Sequence, residues 1–217
     1  MIPFLVLALT GCEFGLTLPS SEPGHDGPLE PSMRFTARAR RSILPGSIAG
    51  PPPPEPGITA SQCSELTHGG AVSGPGCVTD VLRCGETLVG HTVGGVDRFD
   101  SRFYEKQFCT PRITNHDGGD ERVYRLDMPD GDWTALVTLD TPCADLDLAA
   151  LRWDGDDCPT IGHSLSHCEM DIENGTAREQ LRLASQKATS WYVVVEGRDE
   201  QEGAFSLTVQ CYPGLSY

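Results

Sequence analysis

The sequence predicts an all-β fold, an antiparallel β-sandwich preceded by a proline-rich stalk, and three observations predict it. From Arg122 onward, short segments alternate apolar and polar residues with a period of two. Turn signals rich in Gly, Asp and Asn separate those segments. No long stretch carries the helical spacing of an amphipathic helix, which argues against a parallel α/β sheet.

The chain has 217 residues, and ten of its 17 prolines fall between residues 13 and 59. Residues 13–62 hold 4 basic and 5 acidic side chains; residues 63–217 hold 12 basic and 26 acidic ones, net −14. A surface so acidic repels phosphate backbones, so nucleic acid is not expected as a partner. Nine cysteines without paired C-x-x-C spacing point to an oxidising compartment.

At the N-terminus a short apolar run ends in Leu9-Thr10-Gly11-Cys12, which resembles the lipobox of bacterial lipoproteins. The resemblance implies a signal peptide over residues 1–11 and a lipidated Cys12 that anchors the chain to a membrane. No Lys or Arg precedes the run, a departure from the usual basic leader. The run is too short to span a bilayer as a helix. Glu13 is not the aspartate that commonly retains lipoproteins at an inner membrane, so the expected location is the cell envelope with the outer membrane favoured. Residues 12–62 read as a flexible linker: they lack apolar periodicity and contain Pro51 to Pro54, which favours polyproline II. Within it Arg34, Arg38, Arg40 and Arg41 form the one basic cluster, read as solvated stalk.

Residues 63–83 are glycine-rich and poor in apolar side chains, a lead-in pinned by a disulfide for which Cys63 with Cys77 is the near pair. The domain proper is placed at 84–211, with a tail at 212–217. Arg122 to Met128 puts Tyr124, Leu126 and Met128 on one face; Asp130-Gly131 signals a turn; Trp133, Ala135, Val137 and Leu139 then alternate with polar neighbours, so the two segments read as a hairpin. Ala144 to Trp153 opens Asp145, Leu146, Asp147, Leu148, which turns two leucines one way and two aspartates the other. A polar, cysteine-containing loop follows from Asp154 to about Asn174. Glu179, Leu181 and Leu183 read as a strand, although AREQLRLAS is rich in helix formers. Trp191, Val193 and Val195 mark the next strand, and Phe205, Leu207 and Val209 the last. About eight strands are countable.

The order Glu121 to Leu126, Gly131 to Val137, Asp145 to Leu148, Trp191 to Gly197 and Gly203 to Val209 resembles the bacterial pre-peptidase C-terminal (PPC) domain over roughly residues 84–211. The resemblance implies a jelly-roll-like sandwich of the kind that accompanies secreted enzymes, related to the collagen-binding domains of collagenases. No peptidase domain adjoins it in this chain.

Asp145 and Asp147 lie about 7 Å apart on one strand face and must meet water, an arginine or a cation. With Asp154, Asp156 and Asp157 they form the candidate calcium set, since calcium takes clustered carboxylates; the loop lacks the glycine and glutamate of an EF-hand. Cys158, His163, His167 and Cys168 have zinc-ligand chemistry, but a disulfide between Cys158 and Cys168 is the reading preferred in an oxidising compartment. Cys84, Cys109, Cys143 and Cys211 allow three pairings, of which Cys84 with Cys211 would tie the domain's ends together. No serine elbow, cysteine beside a base or metalloprotease helix is present. Trp153, at a strand end beside the acidic loop, is the candidate ligand contact, with packing in the core the favoured alternative. The expected function is a non-enzymatic, lipid-anchored envelope module binding a surface polysaccharide or extracellular protein. The alternatives are an assembly subunit docking on another envelope protein and, last, a hydrolase.

Overall fold

The described residues form nine strands in two sheets. The computed structural model describes residues 54–74, 76–109, 115–155 and 157–214; Cys12, the apolar run before it and the arginine cluster lie outside them. The first sheet has the order β1-β3-β8-β5-β6, from β1 (Val78–Leu82), β3 (Arg122–Met128), β8 (Thr189–Gly197), β5 (Leu146–Arg152) and β6 (His167–Asp171). The second has the order β2-β9-β4-β7, from β2 (Thr87–His91), β9 (Ala204–Pro213), β4 (Trp133–Asp140) and β7 (Arg178–Ser185). Every pairing is antiparallel except β1 with β3.

The period of two builds the core. Tyr124, Leu126 and Met128 of β3, Leu146 and Leu148 of β5, and Trp191, Val193 and Val195 of β8 face Ala135, Val137 and Leu139 of β4 and Phe205, Leu207 and Val209 of β9 in one buried cluster. At about 1.5–3 kcal/mol for each large apolar side chain removed from water, this layer is the main source of stability.

Arg122–Met128 and Trp133–Asp140 do not form the expected hairpin. They lie in different sheets, and the turn at Gly131 (φ 99°) carries the chain across the sandwich. Both segments send their apolar faces into the same interior from opposite sides, a solution that alternation alone does not distinguish from pairing. The residues read as lead-in contain β1, and the loop after β5 contains β6, so both extend the first sheet. Residues read as the end of the linker rest on the second sheet: the Gly57 amide donates to Ser206 Oγ (3.0 Å) and Ile58 is buried. β9 continues to Pro213, into the stretch assigned to the tail. The AREQLRLAS segment is a strand.

The first sheet carries a further layer on its outer face. Segment 96–109, which contains helix α1 (Ser101–Lys106), lays Phe99, Phe103 and Tyr104 over Val123, Ala149, Leu151, Tyr192 and Val194. Asp100 caps the helix by accepting the Phe103 amide (2.7 Å).

Four disulfides hold these layers together, and two expected local pairs are absent. Cys63 bonds Cys143, Cys77 bonds Cys158, Cys109 bonds Cys168, and Cys84 bonds Cys211. The sequence separations run from 59 to 127 residues. Short-range pairing of Cys63 with Cys77 and of Cys158 with Cys168 fails because each cysteine meets an element brought alongside by the sheet order. Cys168 on β6 lies opposite Leu151, whose side chain joins the outer layer, where Cys109 ends the α1 segment. The pairing of Cys84 with Cys211, which joins the chain just before β2 to β9, matches the expectation. Four disulfides indicate an oxidising, extracellular or envelope compartment. Among the described residues no helix is long and apolar enough to cross a membrane.

Candidate functional site

A groove of about 460 Å³ opens on the outer face of the first sheet beyond the helical segment. Arg125, Asp127 and Met128 of β3 and Thr189, Ser190 and Tyr192 of β8 contribute to its lining, and Trp153, Asp154 and Gly155 close one end. Alternation puts these side chains there: Arg125 and Tyr192 are register partners, as are Asp127 and Ser190, and each points away from the apolar core. Asp127 accepts from Arg125 Nε (3.1 Å) and from Ser190 Oγ (2.8 Å), a partly exposed polar network along the groove.

Trp153 forms a wall of the groove, is packed partly buried against the outer apolar layer, and is braced. Its ring stacks on His163 with centroids 4.6 Å apart, and its Nε1 donates to the Asp157 carbonyl (2.8 Å). Gly155 lies so close that a Cβ there would sit 2.3 Å from the indole nitrogen, so only glycine lets the loop fold over the ring. Tyr192 donates to the Gly155 carbonyl (3.0 Å) and fixes the same loop from below.

The four described aspartates of the expected calcium set are not brought together. Asp145 and Asp147 flank the start of β5, whereas Asp154 and Asp157 follow its end, a separation of roughly 20 Å at about 3.3 Å per residue. Asp156 lies outside the described residues. Asp147 is fully buried; His116 Nε2 is 2.8 Å from its Oδ2 and Arg198 Nε 3.7 Å away. Arg198 also reaches Asp145 (3.9 Å). Of water, arginine and cation, these aspartates therefore meet an arginine, with a histidine in addition. Among the described residues no group of three or more His, Cys, Asp or Glu is arranged to hold a metal ion. The four described aspartates therefore do not form one calcium site. The zinc set is likewise dispersed: Cys158 and Cys168 belong to different disulfides, and His167 pairs with Glu169 (2.7 Å).

A cluster of buried acids under segment 96–109 was not anticipated. Glu196 of β8 is the register partner of Asp147 and accepts the Tyr104 hydroxyl (2.7 Å). Glu121 accepts the amides of Arg98 (2.9 Å) and Phe99 (3.3 Å). Glu179 of β7 accepts the amides of Leu148 (2.5 Å) and Glu173 (2.9 Å). Burial raises Glu121 to about 8 even though its backbone hydrogen bonds pull the other way. Burial, then the charge of Asp147, raises Glu179 to about 9. Burial and the neighbouring Glu121 push Glu196 well above the carboxylate range, and burial and Glu196 push Tyr104 above the usual phenol value. The sequence signal was faint: Glu196 interrupts an otherwise apolar strand, and Glu121 adjoins Arg122 at the start of another.

No protein-family model matches the chain, and no curated protein matches it. Among solved structures it is similar to the pre-peptidase C-terminal domain of a collagenase from Bacillus anthracis, with 13% identity, a TM-score of 0.39 and coverage of 64% of this chain and 99% of that one. The fold described above rests on the strands and their register.

Proposed function

We propose that this chain is a non-enzymatic binding module of a bacterial cell envelope, tethered through lipidated Cys12 and a proline-rich stalk, that holds a surface polysaccharide or an extracellular protein. The observation that carries this reading is the groove between Trp153 and the Arg125–Asp127–Ser190 network, which offers hydrogen-bonding groups beside an aromatic wall. The acids with raised pKa are buried beneath segment 96–109 or between the sheets, and none lines the groove. The groove therefore reads as a binding surface rather than a centre for general acid–base chemistry.

One observation favours the second reading, a subunit that docks on another envelope protein. Phe108 is 92% exposed, sits at φ 59° and adjoins the disulfide-bonded Cys109, so an aromatic ring is held out in water at a fixed place.

The test uses the full chain with Cys12→Ser, disulfides formed, passed over immobilised peptidoglycan, surface polysaccharide and fibrous protein in calcium and in EDTA. Retention on one polymer, equal in both buffers, is expected from a groove that the dispersed aspartates do not organise. Retention on none, with capture of an envelope protein dependent on Phe108, would favour docking. Release of cleaved polymer would establish a hydrolase.

A further inference from the structure

We infer that the carboxyls of Glu121 and Glu196 form a proton-dependent latch that fastens segment 96–109 to the outer face of the first sheet. This inference is independent of what the groove binds. Both carboxyls reach from the sheet into the segment: Glu196 takes the Tyr104 hydroxyl, and Glu121 takes the amides of Arg98 and Phe99. Phe99, Phe103 and Tyr104 bury their rings around them.

Charge accounting shows why a proton is needed. Glu196 lies directly across from Asp147 in the sheet, where like charges repel, and Asp97 and Glu121 add their fields from the loop and from the start of β3. The nearby basic side chain, Arg198, and the imidazole of His116 both engage Asp147. Among the described residues neither Glu121 nor Glu196 makes an ion pair. Among the described residues Glu121 Oε2, Glu196 Oε1 and Asp147 Oδ1 are buried without hydrogen-bond partners. Ionised, each glutamate would bind its donors more strongly, yet adjacent unpaired negative charges would stand in a layer without water. A proton on each removes that conflict, and an opening of the layer to water relieves it when the protons leave. Cys109–Cys168 restricts the opening to loosening, since it ties the segment's end to β6.

Amide exchange measured by NMR on the full chain with Cys12→Ser tests this from pH 5 to 9, with each rate divided by its intrinsic value. The protection factors of Phe99 and Tyr104 are expected to fall at least tenfold as pH rises and to stay below that of Val137 on β4 at every pH, the mark of a segment that opens without the whole domain. In Glu196→Gln, a neutral side chain of the same shape, the fall should shrink several-fold; Glu121→Gln is the second variant if the first does not fold. Constant protection of Phe99 and Tyr104 in the wild type would overturn the latch, as would protection equal to that of Val137 at every pH, which would mark global opening alone. An unchanged fall in both glutamine variants would overturn it too.

Discussion

At the scale of the residue, the buried charges decide how this protein responds to pH and to substitution. His116 is the close partner of Asp147 in a pair with no solvent exposure. His116→Ala is expected to cost about 3 kcal/mol in urea denaturation because it removes the one side chain at hydrogen-bond distance from the buried Asp147 carboxyl and leaves only the longer contact to Arg198, and a second change, Asp147→Ala, should recover part of that loss. Glu179 and Glu121 set the direction of the pH dependence. Their folded pKa values lie above the unfolded value, so their stabilising effect is complete below about 4.5 and is lost progressively as pH rises toward 8 to 9. His91, lowered by burial, acts in the opposite direction and only near and below its ordinary value of 6.5. The urea midpoint should therefore fall between pH 5 and 9, and Glu179→Gln should flatten the fall by roughly 3 kcal/mol. A midpoint that rises with pH through this range would contradict the assignment.

At the scale of the element, the inner faces were legible and the outer layer was not. Leu146 and Leu148, or Trp191, Val193 and Val195, declare their face through a period of two, because the core side of a strand tolerates little else. The same pattern placed Asp145 and Asp147 on the opposite face correctly, but it could not show that Asp147 is covered. Its partners His116 and Arg198 lie far away in sequence, and the covering helix is only six residues long. Disulfide partners were illegible for a related reason, since pairing follows sheet order rather than spacing. Trp153, just past the end of β5, could be read as an exposed contact or as core packing, and Arg125, Asp127 and Ser190 are ordinary outward positions until β3 and β8 are known to be neighbours. A separable role is expected for Cys63–Cys143, which ties the segment that holds Ile58 to the loop after β4. Replacing both cysteines by Ala should make residues 54–63 cleavable by limited proteolysis while the sandwich stays resistant. Collapse of the whole domain into small fragments would show that this bond holds more than the segment.

At the scale of the whole described domain, two sheets supply the core and disulfides bind the outer segments to them. Each bond closes a span long enough for about 3–5 kcal/mol of stabilisation in the chain-entropy picture. Dithiothreitol is accordingly expected to lower the thermal midpoint by well over 10 °C, read by near-ultraviolet circular dichroism; an unchanged midpoint in the fully reduced protein would contradict that role. The acidic surface and oxidised cysteines suit a protein that works outside the cytosol, and the groove stands on β3 and β8, which pair along the whole length of β3. That placement gives a binding surface a rigid floor. The most direct measurement is retention of the wild type and of Ser190→Trp, which fills the groove, on whichever polymer the wild type holds. The account predicts at least a tenfold loss of retention with the thermal midpoint unchanged, and equal retention by the two proteins would contradict it.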